Sequence, residues 1–257
     1  MTRDRAFLGT CAFLFLATAG VTTYWCASMP GGMPMPGGWT MSMAWMRMPG
    51  QSWPGAAASF LGMWVVMMVA MMTPSLVPML SSYRRSVRGP GGARLGGLTA
   101  LAGAGYFLVW AAFGAAAYPL GVALGAAEMR WPTLARCVPV ATGVVLLLAG
   151  GVQLTAWKAR QLGLCRDAPC CRPSRRPDAR TAFRHGLHLG VHCSRCCSGL
   201  MAILLVTGVM DLGAMAMVAV AITVERLAPR PERAARVSGV VVIGAGAVVI
   251  ARALGLA

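Results

Sequence analysis

Charge is scarce in this chain. Of its 257 residues 12% are Asp, Glu, Lys or Arg, seven are acidic, and a single lysine, Lys158, stands among 23 basic residues. A soluble domain carries about a quarter charged residues, so half that fraction excludes an ordinary globular enzyme. Carboxylates this few also argue against Mg, Ca or Mn sites, which want oxygen donors. There is no phosphate-cradling glycine loop, hydrolase serine elbow or zinc-protease motif, so intrinsic catalysis is not expected. The net charge of +16 does not point to nucleic acid either. The arginines lie in short segments between apolar runs, without interleaved aromatic or polar readers.

What is present is apolar length. The chain is 57% hydrophobic, and runs near the roughly 20 residues that cross a hydrocarbon core recur at 6–26, 55–80, 95–120, 137–157, 186–209, 212–228 and 237–256. The expectation is an all-α polytopic bundle of about seven spans, one membrane domain over 1–257. A tight turn at Met210 and Asp211 separates the fifth and sixth spans, and Pro74 and Pro78 break the end of the second. Positive residues are retained in the cytoplasm. The tail (Arg3, Arg5) and segments 81–94, 158–184 and 226–236 hold 18 of them, against Arg47, Arg130, Arg136 and Arg252 on the other side. The N-terminus is therefore read as cytoplasmic and the C-terminus as outside. The first span is read as a retained anchor because its apolar run exceeds a signal-peptide core.

Two connecting segments carry sulfur. The extracytoplasmic segment 27–54 is rich in Gly and Pro, and six of its methionines form Met-x-Met pairs: Met33 with Met35, Met41 with Met43, Met46 with Met48. Thioethers suit Cu(I) or Ag(I) and survive where thiols oxidise. The other reading is a mobile low-complexity linker, or one anchored at the headgroups by Trp39, Trp45 and Trp53. The cytoplasmic segment 158–184 places Cys165, Cys170 and Cys171 among eight basic residues. These thiols stay reduced there and are open to metal, although the spacing matches no standard zinc frame and the cysteines are equally read as incidental to an arginine-rich stretch. Cys26 and Cys137 both fall at the oxidising face and are expected to form a disulfide. Cys11 is a packing residue.

The densest chemistry opens the fifth span. All three histidines, His185, His188 and His192, lie with Cys193, Arg195, Cys196 and Cys197 in the fourteen residues from Arg184. At about 100° per residue His185, His188, His192, Arg195 and Cys196 share one stripe, with Cys193 and Cys197 at its edge. An ionised intramembrane side chain faces a bundle interior, and Glu225, Asp211 or a metal-bound thiolate are the expected partners of Arg195. The plain alternative is a packed helix whose cysteines act as small hydrophobes. Span two adds Met63, Met67 and Met71 in one i, i+4 row and Met68 with Met72 in another, at a depth matching His192 and Cys196. Methionine at this spacing is also ordinary core.

Two runs together, Trp64-x2-Met67-Met68-x-Ala70-Met71-Met72-x-Pro74 and Gly186-Leu-His188-x-Gly190-x-His192-Cys193-x2-Cys196-Cys197-x2-Leu200-Met201, resemble a family of bacterial integral membrane proteins of unknown function, regarded as metal-binding. The resemblance covers most of the chain and implies a metal-binding bundle with His188, His192, Cys193, Cys196 and Cys197 as ligands. Arg195 stands where a small or neutral residue is expected, and the Met-rich segment is an elaboration. The resulting expectation is a multi-pass protein of the bacterial inner membrane, handling Cu(I) or, with the same donors, zinc. It would exchange the ion with a soluble copper-binding or redox protein. A thiol–disulfide relay through Cys193, Cys196 and Cys197, and a non-catalytic assembly subunit, are the alternatives.

Overall fold

The structure, a computed structural model, describes residues 2–28, 32–87, 92–166 and 178–256. The expectations on Cys170 and Cys171 lie outside the described residues. Eight helices account for nearly all the rest: α1 (Thr2–Ser28), α2 (Trp53–Ser86), α3 (Gly92–Arg130), α4 (Pro132–Gln153), α5 (Ala156–Arg166), α6 (Ala179–Thr207), α7 (Leu212–Leu227) and α8 (Pro231–Ala253). Six of them, all but α5 and α7, are long and apolar enough to cross a membrane. The sixth of the seven expected spans is helical as α7, but its 16 residues extend about 24 Å, short of a hydrocarbon core of about 30 Å.

Local chemistry sets the helix ends. Ser52 caps α2 by accepting from the Gly55 amide at 3.2 Å, and Asp178 caps α6 from Thr181 at 2.8 Å, which holds the Asp178 carboxyl below its ordinary range. The expected tight turn between α6 and α7 is present. Gly208 ends α6 at φ +123°, a conformation open to glycine, and Asp211 caps α7 by accepting from Ala214 at 2.8 Å. α2 does not break at Pro74 and Pro78; it runs through both. Each proline removes one backbone donor, and the hydroxyls of Thr73 and Ser75 donate to the nearby carbonyls of Val69 and Met72.

One contiguous core joins α2 to α8, and its buried members include Trp64, Met67, Met68, Met72, Tyr106, Trp110, Cys193, Cys197 and Leu200. α1 packs on α2 and leaves Phe13, Leu16 and Tyr24 exposed, as a lipid-facing helix does. The α4–α8 contact is made through glycines: a Cβ on Gly246 would stand 2.9 Å from the Gly143 carbonyl, and one on Gly150 2.7 Å from that of Gly239.

Where they are described, both expected connecting segments hold regular structure. Within 27–54, strands β1 (Met33–Met35) and β2 (Trp39–Met41) pair antiparallel, and a 3-10 turn follows at Met43–Trp45. Trp39 donates to the Ala135 carbonyl at 2.9 Å and Trp45 packs on Phe60 with ring centroids 5.2 Å apart. These two rings dock on protein, while Trp53 is exposed. Within 158–184, α5 and the first turns of α6 replace loop, and Lys158 is only 2% exposed.

Candidate metal centre

The start of α6 is turned by its glycines. A Cβ on Gly186 would collide with the Ala102 carbonyl of α3, and one on Gly190 would stand 2.9 Å from that of Tyr106. This close approach sets the α6 face carrying Gly186, Gly190, Cys193 and Cys197 against α3, and brings Cys196 into the interior beside it. Cys193, Cys196 and Cys197 are all buried. The Tyr106 hydroxyl lies 2.9 Å from Cys193 Sγ, and Cys193 Sγ lies 3.9 Å from Cys197 Sγ, one helical turn on.

A fourth thiol arrives from α5. Cys165 is buried and donates to the His192 carbonyl at 3.4 Å, and its sulfur interacts with that of Cys196. The guanidinium of Arg226, on α7, ties the set together. Its Nη2 lies 3.9 Å from Cys165 Sγ and 3.8 Å from Cys197 Sγ, and its Nη1 donates to Met79 Sδ at 3.5 Å. A second cation lies beside the site. Lys158 Nζ donates to the Cys196 carbonyl at 2.7 Å and pairs with Glu225 at 2.7 Å. The other oxygen of Glu225 accepts from Gln153 at 2.8 Å and from Ser238 at 2.6 Å. Both charges of the Lys158–Glu225 pair are thus hydrogen-bonded, as charges removed from water must be.

The histidines stand outside this cluster. His188 is exposed and His192 half-buried, their rings 4.6 Å apart, and His185 stacks on Tyr83 at 5.0 Å. Nδ1 of His192 and Nε2 of His185 are buried without a protein partner. Among the described residues no three His, Cys, Asp or Glu side chains close on a common point at metal distance. The centre is therefore a sulfur cluster edged by imidazoles, in which Cys193 and Cys197 lie 3.9 Å apart.

Three expectations are corrected. Arg195 is exposed and meets neither of its expected carboxylate partners: Glu225 is taken by Lys158, and Asp211 caps α7. The stripe drawn through the histidines and Arg195 is the outer edge of the buried face, because Gly186 and Gly190 fix its centre nearer Cys193. Cys26 and Cys137 are both free thiols; Cys26 faces Met210 Sδ at 3.8 Å and Cys137 is exposed at the start of α4, so no disulfide forms.

Met63, Met67, Met68, Met71 and Met72 are all buried in the core that holds the thiols. The thioether that reaches the cluster through Arg226 is Met79, which continues the row of Met63, Met67 and Met71 beyond Pro78. Lys158, Arg226 and Met79 escaped the sequence reading because two were assigned to loops and one to a broken helix end. The row spacing was the signal for Met79. Among the outer methionines, Met41 is buried and faces Met33 in the hairpin register. Met35, Met43 and Met46 are half-buried, and Met33 and Met48 are exposed. Met41 lines a cavity of about 770 Å³ with Trp39, Trp45, Gly121 and Cys137.

The chain matches the family PpoB2, described as copper chaperone, over residues 61–249. That interval contains both sulfur-bearing stretches of the core and excludes the hairpin. No curated protein and no solved structure matches the chain.

Proposed function

Since the chain belongs to the PpoB2 copper chaperone family, we propose that it is a multi-pass protein of the bacterial inner membrane that holds Cu(I) as cargo on the thiolates of Cys193 and Cys197. The observation that carries this reading is the contact of two buried thiols, 3.9 Å apart, inside an apolar core. Cu(I) is a soft ion that takes thiolates and thioethers, and Glu225, the carboxylate beside the thiols, is already engaged by Lys158. Cys196 and Cys165 extend the thiol set toward α5. His188 and His192 form an exchange station at its rim, where a soluble copper-binding partner takes or gives the ion. The outer methionines Met33, Met35, Met41, Met43, Met46 and Met48 serve capture on the opposite side. Met67, Met68, Met71 and Met72 line the path between. Zinc is the competing ion for the same donors.

The second reading is a thiol–disulfide relay through Cys193, Cys196 and Cys197, to which the contact of Cys193 with Cys197 is equally open. The experiment is a Cu(I) competition titration against a chromophoric chelator on protein purified from membranes. About one tightly held Cu(I) per chain is expected, lost in the Cys193→Ser, Cys197→Ser double variant. Replacing His188 and His192 with Ala should slow transfer to the chelator while leaving stoichiometry unchanged. Full Cu(I) retention in the cysteine variant would refute the assignment.

A further inference from the structure

We infer that Arg226 is a specificity-determining residue whose fixed charge matches the thiol site to a monovalent soft ion and against a divalent one. The inference rests on the reading that Cys193 and Cys197 hold the cargo.

The observation is a cation without an anion. Arg226 makes its contacts to sulfur alone, with Cys165, Cys197 and Met79 at 3.9, 3.8 and 3.5 Å. Its Nε is buried without a partner, and among the described residues it has no carboxylate within ion-pair distance. Lys158, the neighbouring buried cation, is already neutralised by Glu225 at 2.7 Å. Five helices thus converge on a site whose one uncancelled formal charge, among the described residues, is the guanidinium.

In a medium of low dielectric that charge decides which occupant fits. Cu(I) or Ag(I) on two thiolates is a unit of net charge −1, and the guanidinium cancels it at contact distance. Zn(II) on the same two thiolates is neutral and leaves the guanidinium uncompensated. Arginine suits this role because its charge is permanent and its planar fork reaches two sulfurs at once. Met79 occupies the other face of the fork as an uncharged thioether, so it completes the packing without altering the balance.

The test uses the full chain in detergent, titrated with Cu(I), Ag(I) and Zn(II). Arg226→Gln should weaken Cu(I) binding by at least about tenfold and shift the Cu(I)-to-Zn(II) affinity ratio in favour of zinc by a similar factor. Arg226→Lys should restore most of the ratio, an outcome that a packing role alone does not give. If the neutral variant does not fold, the intact protein decides: Ag(I) should displace Cu(I) one for one, and excess Zn(II) should not. An unchanged ratio in Arg226→Gln, or Zn(II) displacing Ag(I) from the intact protein, overturns the inference while the thiol site stands. Failure of the thiol site itself is read separately, from Cu(I) retained by the Cys193→Ser, Cys197→Ser variant.

Discussion

Lys158 is the only lysine in the chain, and the fold spends it in the interior. Its ammonium pairs with Glu225 and donates to the Cys196 carbonyl, both at 2.7 Å, so it binds α5 to α6 and α7 next to the thiols. Replacing one member of such a pair leaves the other buried and uncompensated, at a cost of about 3–5 kcal/mol. Lys158→Met should therefore lower the unfolding midpoint of the detergent-solubilised protein sharply. The Lys158→Met, Glu225→Met double variant should recover most of the loss; no recovery would mean that Lys158 acts through packing. At this scale the sequence was least legible. Position within an apolar run showed that Cys193, Cys196 and Cys197 lie in a helix, but a lysine or arginine at a run's edge reads as loop whether it points to water or folds back on the core. Lys158 and Arg226 do the latter, and only tertiary contact separates the two cases.

Among the elements, α3 and α6 approach as closely as backbones allow because Gly186 and Gly190 present no side chain to Ala102 and Tyr106. Gly186→Leu should drive the helices apart and pull Tyr106 from Cys193; loss of the folded species in size-exclusion chromatography and of Cu(I) binding checks this. Helix type and approximate extent were readable from apolar length alone, since a hydrocarbon solvent leaves few alternatives to helix. Rotation was not. The donors of α6 read as one stripe centred on the histidines, but glycine packing fixes the buried face nearer Cys193, so His188 and Arg195 are exposed. The same weighting cut α2 at Pro74 and Pro78, although the helix runs through both, with hydroxyls on either side of Pro74, and brings Met79 to Arg226.

At the scale of the whole molecule, two faces carry sulfur and one interior connects them. The outer hairpin is fastened to α4 by Trp39 and to α2 by Trp45, over the cavity that Met41 helps to line. The thiols lie midway along α6 and at the C-terminal end of α5, and the segment joining these two helices is the one that the arginine distribution reads as cytoplasmic. That orientation is testable with a membrane-impermeant thiol reagent on a cysteine placed at Asp4 or at Leu254: labelling in intact cells is expected at position 254 and not at position 4, and the reverse would invert the proposed direction of transfer. The central claim is chemical, that the cargo is held by sulfur inside the bundle. X-ray absorption at the copper edge on Cu(I)-loaded protein tests it most directly. A shell of sulfur scatterers that disappears in the Cys193→Ser, Cys197→Ser variant is the expected result, and a nitrogen-only shell unaffected by that variant would contradict it.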